Sequence, residues 1–140
     1  MKRNGYMVLT VAALVLMSLV PAYAQLKTSA TVNIPFTFTV DEIRMPAGEY
    51  LITSPSEKVI SIQRVGGTEA KVTLTISGST ARTTGPAKLV FHKYGNAYFV
   101  AAAWMPKADH PQEFFTSAAE IEVARTTKQE TYELAMNVAK

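Results

Sequence analysis

The sequence predicts an all-β domain, mainly antiparallel, built as a small barrel or sandwich of about seven strands with one short helix in its C-terminal half. Three observations lead there. Apolar residues alternate with polar ones at period two, as in Val32, Ile34, Phe36, Phe38 and Val40 against Thr31, Asn33, Pro35, Thr37 and Thr39. Turn-forming pairs, Gly66-Gly67 and Gly95-Asn96, separate such stretches at hairpin spacing. A helix-start signature is read at Ser117.

The chain opens with a leader. Lys2 and Arg3 give a positive start, Met7 to Val20 is almost unbroken apolar sequence, and Ala22-Tyr23-Ala24 has the small-x-small pattern that a signal peptidase reads. The apolar run is shorter than the roughly 20 residues a spanning helix needs. Residues 1–24 are therefore expected to be a cleaved secretory signal and 25–140 a single β-rich domain, exported to the periplasm or the medium, with no membrane span after cleavage.

The first strand of that domain is the Thr31–Val40 alternation. Pro35 lacks a backbone donor, which predicts an edge strand or a bulge there, and an edge open to strand addition from another chain. Asp41 to Gly48 reads as a turn, and Glu49 to Thr53 as a short strand closed by Pro55. Val59–Val65 and Glu69–Ser77 form the next two strands. A two-residue turn would set Ile60 opposite Thr73 and Ile62 opposite Lys71. A three-residue loop, Gly66-Gly67-Thr68, sets them opposite Leu74 and Val72 and gathers the apolar residues on one face, so the sequence favours the longer loop.

Gly78 to Ala87 is small and polar and reads as a loop. Lys88–Tyr94 and Ala97–Met105 make the clearest hairpin, turning at Gly95-Asn96, with Phe91 opposite Val100 and His92 opposite Phe99. A two-residue turn continues that register to Leu89 opposite Ala102 and Val90 opposite Ala101. Both faces of this hairpin are largely apolar, so both should be covered. Lys107 to Glu113 reads as a loop. Ser117-Ala118-Ala119-Glu120 fits a capping box, predicting a helix over about 118–128 with Phe114, Ala118 and Ile121 on its apolar stripe. Tyr132, Leu134, Met136 and Val138 then alternate as a last strand, with helix a competitor because Ala, Leu and Met favour it.

Three stretches taken together, Thr31-Val-Asn-Ile-Pro-Phe-Thr-Phe38, Met45-Pro-Ala-Gly-Glu-Tyr50 and Lys88-Leu-Val-Phe-His-Lys-Tyr-Gly95 followed by Tyr98-Phe99 and Trp104, resemble an uncharacterised family of small exported bacterial proteins, common in acidobacteria. The resemblance spans most of the chain after the leader. It implies export and one β-rich domain, and it assigns no catalytic or binding residue.

Composition narrows the functions. The 140 residues, 48% apolar and 18% charged, suit one globular domain. The formal charge of +3 and the pI near 9.2 suggest a basic protein. Lys2 and Arg3 leave with the signal, however, which brings the charge to +1 with the remaining bases scattered among acids. That pattern excludes a nucleic-acid interface built on counterion release. There is no cysteine, so neither a disulfide nor a lipid anchor on the residue after the leader can form.

Catalytic chemistry finds little to work with. Of the two histidines, His92 sits in the hairpin strand beside Phe91, and His110 lies in a polar stretch with Asp109 and Glu113. A zinc-type site needs three or four converging ligands, and neither histidine has a second His or a Cys to join it. No Gly-x-Ser-x-Gly elbow occurs. No catalytic, cofactor-binding or metal-binding residue is therefore assigned, and no cofactor is expected. The aromatic set Tyr50, Phe91, Tyr94, Tyr98, Phe99 and Trp104 reads first as core packing. Tyr50, His92, Tyr98, Phe99 and Trp104 make the candidate ligand or partner surface.

The expected function is a non-enzymatic exported domain, acting by binding or as a structural component of the cell envelope. The alternative is a small-barrel carrier of an apolar ligand, and a weaker one is a hydrolase using His92 or His110. Its partner would be an apolar small molecule or an envelope protein. Intact-mass measurement of the exported protein should give a chain beginning at Gln25. A chain that retains residues 1–24 would contradict the cleaved leader.

Overall fold

A computed structural model of the chain describes residues 28–81 and 85–138. The leader read at 1–24 and part of the 78–87 loop lie outside the described residues. Among those described, eleven strands and one helix follow in the order β1 (Thr28–Ile34), β2 (Phe38–Val40), β3 (Ile43–Met45), β4 (Gly48–Ser56), β5 (Val59–Arg64), β6 (Ala70–Ser77), β7 (Lys88–Tyr94), β8 (Ala97–Trp104), β9 (Gln112–Phe114), α1 (Ala118–Ala124), β10 (Glu130–Ala135) and β11 (Asn137–Val138). The protein is all-β, as its alternation predicts, with eleven strands in place of about seven. The extra ones are short. The first alternation is two strands, the 41–48 turn holds β3, the 107–113 loop runs into β9, and the C-terminal strand is split in two.

Pairing runs β10-β7-β8-β9-β6-β5-β4-β1-β11 through one mixed sheet, with β2 joined to β8 and β3 to β2. The ladder does not close on itself. Its two ends are nevertheless held by a single segment of chain: β10 pairs with β7 from Glu130↔Lys93 to Ala135↔Lys88, and β11 pairs with β1 at Ala30↔Val138 and Thr31↔Asn137. Only Met136 separates them. It is buried, and its N–H donates to the Ala87 carbonyl at 2.8 Å. Residues 131–138 are thus strand, and their helical propensity is overridden by pairing on both sides.

Proline acts differently from the expectation. The first alternation breaks at Pro35-Phe36-Thr37, which belong to neither β1 nor β2. β1 is no edge strand, because β4 pairs with its whole length and β11 with its other side. Strand addition at Ala30 and Thr31 of the first strand is accordingly blocked by β11. Pro55 lies inside β4, where the pairing with β5 slips between Thr53 and Ser56. The bulge gives the missing donor a place without ending the strand.

The β5–β6 register is the main correction. Ile60 lies opposite Thr73 and Ile62 opposite Lys71. This is the register of a two-residue turn, although the chain turns through four residues, Val65 to Thr68, with Gly66 at a φ of 74° that only glycine adopts without cost. Ile60 and Ile62 enter the core, and Thr73 and Thr75 enter it beside them. The buried hydroxyls are satisfied: Thr73 donates to Asp41 Oδ2 at 2.5 Å, and Thr75 accepts from the Gln112 amide at 3.1 Å. Val72, Leu74 and Ile76 consequently face outward, 63%, 64% and 47% exposed.

The core itself is filled by side chains from every long strand, with Tyr50, Phe38, Phe91, Ile34, Ile52 and Leu89 among the largest fully buried. Phe38 meets Tyr50 edge to face at 5.1 Å and Phe91 at 5.8 Å, separations at which aromatic pairs attract. The β7–β8 hairpin pairs Phe91 with Val100 and His92 with Phe99, as expected. A bulge past Val90 then shifts Leu89 to Ala103 and Val90 to Ala102, one residue beyond the two-residue-turn continuation. With no disulfide possible, this packing carries the fold.

The register has a measurable consequence. Ile60→Ala should cost about 2–5 kcal/mol, as core truncations do, whereas Leu74→Ala should stay within about 0.5 kcal/mol, as for an exposed position. Urea unfolding of the two variants ranks them directly. The reverse order would contradict the register.

Candidate functional site

The five residues singled out by sequence do not converge. Tyr50 is fully buried in β4, and its hydroxyl donates to the Pro46 carbonyl at 2.5 Å. Burial pushes its phenol pKa up, partly offset by the nearby Arg64 guanidinium. It is a core residue, inaccessible to a partner. Trp104 is half-buried at the far end of β8, with Lys88 Nζ 5.9 Å from its ring centroid, and Lys88 in turn pairs with Glu133 at 3.0 Å. His92, Phe99 and Tyr98 fall into two separate places.

The first lies under α1. His92 and Tyr94 stand on the outer face of β7, and Phe99 on that of β8, 5.9 Å from Tyr94 edge to face. Helix α1 covers them through Glu120. That carboxylate is only 4% exposed. His92 Nδ1 lies 2.6 Å from its Oε1, and the Tyr94 hydroxyl donates to the same oxygen at 3.0 Å. The Gln129 side chain stands 2.9 Å from the Tyr94 hydroxyl, which has one proton to share between the two.

The cap explains how the acid gets there. Ser117 accepts from the Glu120 N–H at 3.1 Å, as in a capping box, but the glutamate does not reach back. Glu42 from the β2–β3 turn serves the helix start instead, its Oε1 accepting from the Ala118 N–H at 2.8 Å. Glu120 is thereby released inward. The face of α1 that meets the sheet carries Ser117 and Glu120, and Ile121, expected on the apolar stripe, is exposed. A buried carboxylate held by His92 and Tyr94 fixes the orientation of the helix.

This cluster positions α1 against the sheet. His92 lines neither of the two clefts described next. His110 lies elsewhere, in a cleft of about 410 Å³ at the β8–β9 connection with Asp109, Glu57 and Lys107. Charges of both signs line that cleft and favour no ligand charge. No cluster of three metal-ligating side chains occurs among the described residues.

The second place is a groove of about 580 Å³ lined by Phe36, Thr37, Phe38, Thr39, Arg44, Asn96, Ala97 and Tyr98. It exists because Pro35 interrupts the first alternation. The chain leaves the ladder with Phe36 and Thr37, then returns as β2 to lie parallel to β8 at Thr39↔Phe99. Phe36 stacks on Tyr98 with centroids 3.7 Å apart, and Tyr132 closes on both rings edge to face. Of this groove the sequence marks only Tyr98. Phe36 reads from sequence as strand core and Arg44 as part of a turn, so neither stands out as a site residue.

No protein-family model, curated protein or solved structure matches the chain.

The Tyr94 environment sets a pH dependence. Burial, then the Glu120 carboxylate, push its phenol up to about 12 from the ordinary 10. The folded state therefore keeps a proton that the unfolded chain loses above about pH 10. Stability should be insensitive to this group below pH 10 and fall as pH rises from 10 to 12. Tyr94→Phe should flatten that decline, with Tyr50, also pushed up by burial, contributing to what remains. An unchanged decline, followed by urea midpoints across the range, would contradict the assignment.

Proposed function

We propose that this chain is an exported, non-enzymatic binding domain of the cell envelope whose working surface for a protein partner is the outer face of β6. The observation that carries this reading is the inverted strand: threonines inside, and Val72, Leu74 and Ile76 outside. The β6–β9 register, Thr75↔Phe114 and Ile76↔Glu113, continues the row sideways, since the next residue on that side is Phe115, itself 54% exposed. Folding does not use these side chains, and leaving them in water forgoes about 1.5–3 kcal/mol each had they been buried. A contiguous apolar patch of this kind suits contact with another apolar surface.

The carrier alternative has less behind it. The aromatic residues that would line an internal chamber are spent on one another, as Phe38, Tyr50 and Phe91 show. A hydrolase at His92 would need room beside the Glu120 pair, and neither described cleft includes His92.

A photo-crosslinking residue placed at position 74 in the producing cells tests the proposal. It should trap a discrete envelope species, with the same residue at Glu130 giving little. Val72→Lys with Leu74→Lys should keep the fold and reduce crosslinking from position 76 at least tenfold. Equal yields from positions 74 and 130, or no effect of the double substitution, would sink the proposal.

A further inference from the structure

We infer that the Phe36–Tyr98 groove is a binding site for an acidic sugar unit, with Arg44 receiving its carboxylate. This inference is independent of the β6 face. Its volume of about 580 Å³ falls within the range of small-ligand clefts, roughly 300–1,000 Å³, and admits one or two sugar rings.

The charge points to an acid. Arg44 stands on β3 with its side chain exposed, and it takes part in no ion pair among the described residues. The acids nearest to it in the same hairpin are engaged elsewhere: Asp41 with Lys71 and Thr73, Glu42 with the first turn of α1. Lys93 adds positive charge from behind, its Nζ 5.7 Å from the Tyr98 ring centroid. Its own acid, Glu130, is 3.9 Å away and largely exposed, so neutralisation is weak. Among the described residues, Arg44 is thus the one charged side chain in the groove lining. A guanidinium offers two parallel N–H donors, which match a carboxylate better than a point charge does.

The rest of the lining points to a sugar. The edges of the stacked Phe36 and Tyr98 rings give the groove an apolar margin against which the C–H groups of a pyranose pack. Around them Thr37, Thr39 and Asn96 supply hydroxyl and amide groups that both donate and accept, as sugar hydroxyls require. A flat aromatic acid would use Arg44 and the rings but would leave these polar groups without partners. The site is also prepared in advance: Phe36 is fixed by Phe91 at 5.1 Å and by Tyr132 at 5.4 Å, so its orientation needs no ordering on binding.

Amide-resolved NMR titration of the exported protein with a galacturonate trimer tests this. Saturable shifts are expected at Thr37, Thr39, Arg44, Asn96 and Tyr98, with half-saturation in the millimolar range or below. A neutral galactose oligomer and benzoate should each bind at least tenfold more weakly. Arg44→Gln, an exposed position whose loss should leave the spectrum folded, should weaken the trimer at least tenfold. Thr37→Val should weaken it severalfold without altering the stack. No shifts at ~20 mM trimer, about the weakest half-saturation a small-ligand cleft of this kind would show, shifts located elsewhere, full binding by Arg44→Gln, or benzoate binding as tightly as the trimer would each overturn the assignment.

Discussion

The turn at Gly66-Gly67 is the constraint on which the rest depends. Arg64 N–H donates to the Glu69 carbonyl at 2.9 Å across it, closing a loop of four residues, Val65 to Thr68, and the register of β6 follows. Because side chains alternate at period two, one residue more in the turn would exchange the two faces of β6 entirely. Thr73 and Thr75 would lie outside, and Val72, Leu74 and Ile76 inside. The observed choice places two hydroxyls in the core. It is tolerable only because Asp41 accepts from Thr73 and the Gln112 amide donates to Thr75, since a buried hydroxyl without a partner costs about 1–3 kcal/mol. Gln112 is itself held from several sides. Its amide also donates to the Ser56 and Val59 carbonyls, and its oxygen accepts from Ser54. Among the described residues no buried side-chain polar atom lacks a partner.

The absence of cysteine gives the C-terminal segment a second structural burden. Residues 130–138 hold β7 with one part and β1 with the other, and Met136 seats the junction in the core. The sheet is thereby tied at both ends without a covalent link. Helix α1, immediately before this segment, is anchored by a buried carboxylate shared with His92 and Tyr94. Packing, one bridging strand and one satisfied acid together do the bracing that a disulfide would otherwise supply.

Much of this is legible in the residues, and what is not has physical causes. The β7–β8 hairpin announces itself through Gly95-Asn96 and strong alternation, and the start of the helix through Ser117 and Glu120. Strands of two or three residues, β3, β9 and β11, are too short to show a period. The β6 register is misread from sequence because apolar Val72 and Leu74 are expected to seek the core. What decides it is two polar partners, Asp41 and Gln112, that lie 32 and 37 residues away in sequence from the threonines they hold. The site is half legible. Tyr98 stands out, while Phe36 and Arg44 gain meaning only once Pro35 breaks the ladder and folds β2–β3 against β8. Glu120 reads as a cap in the sequence, and only the fold shows it as the acid beneath the helix.

The cysteine-free background allows a direct test of the central register. Ser61 faces Val72 across β5 and β6, both side chains pointing outward. A Ser61→Cys, Val72→Cys chain brings two Cβ atoms within the distance a disulfide requires, about 3.5–4.5 Å. It should oxidise readily in the folded state, while Ser61→Cys with Thr73→Cys should not, its two thiols lying on opposite faces. If the second pair closes and the first stays reduced, β6 has the other register, its apolar row is core, and the binding surface proposed for it does not exist.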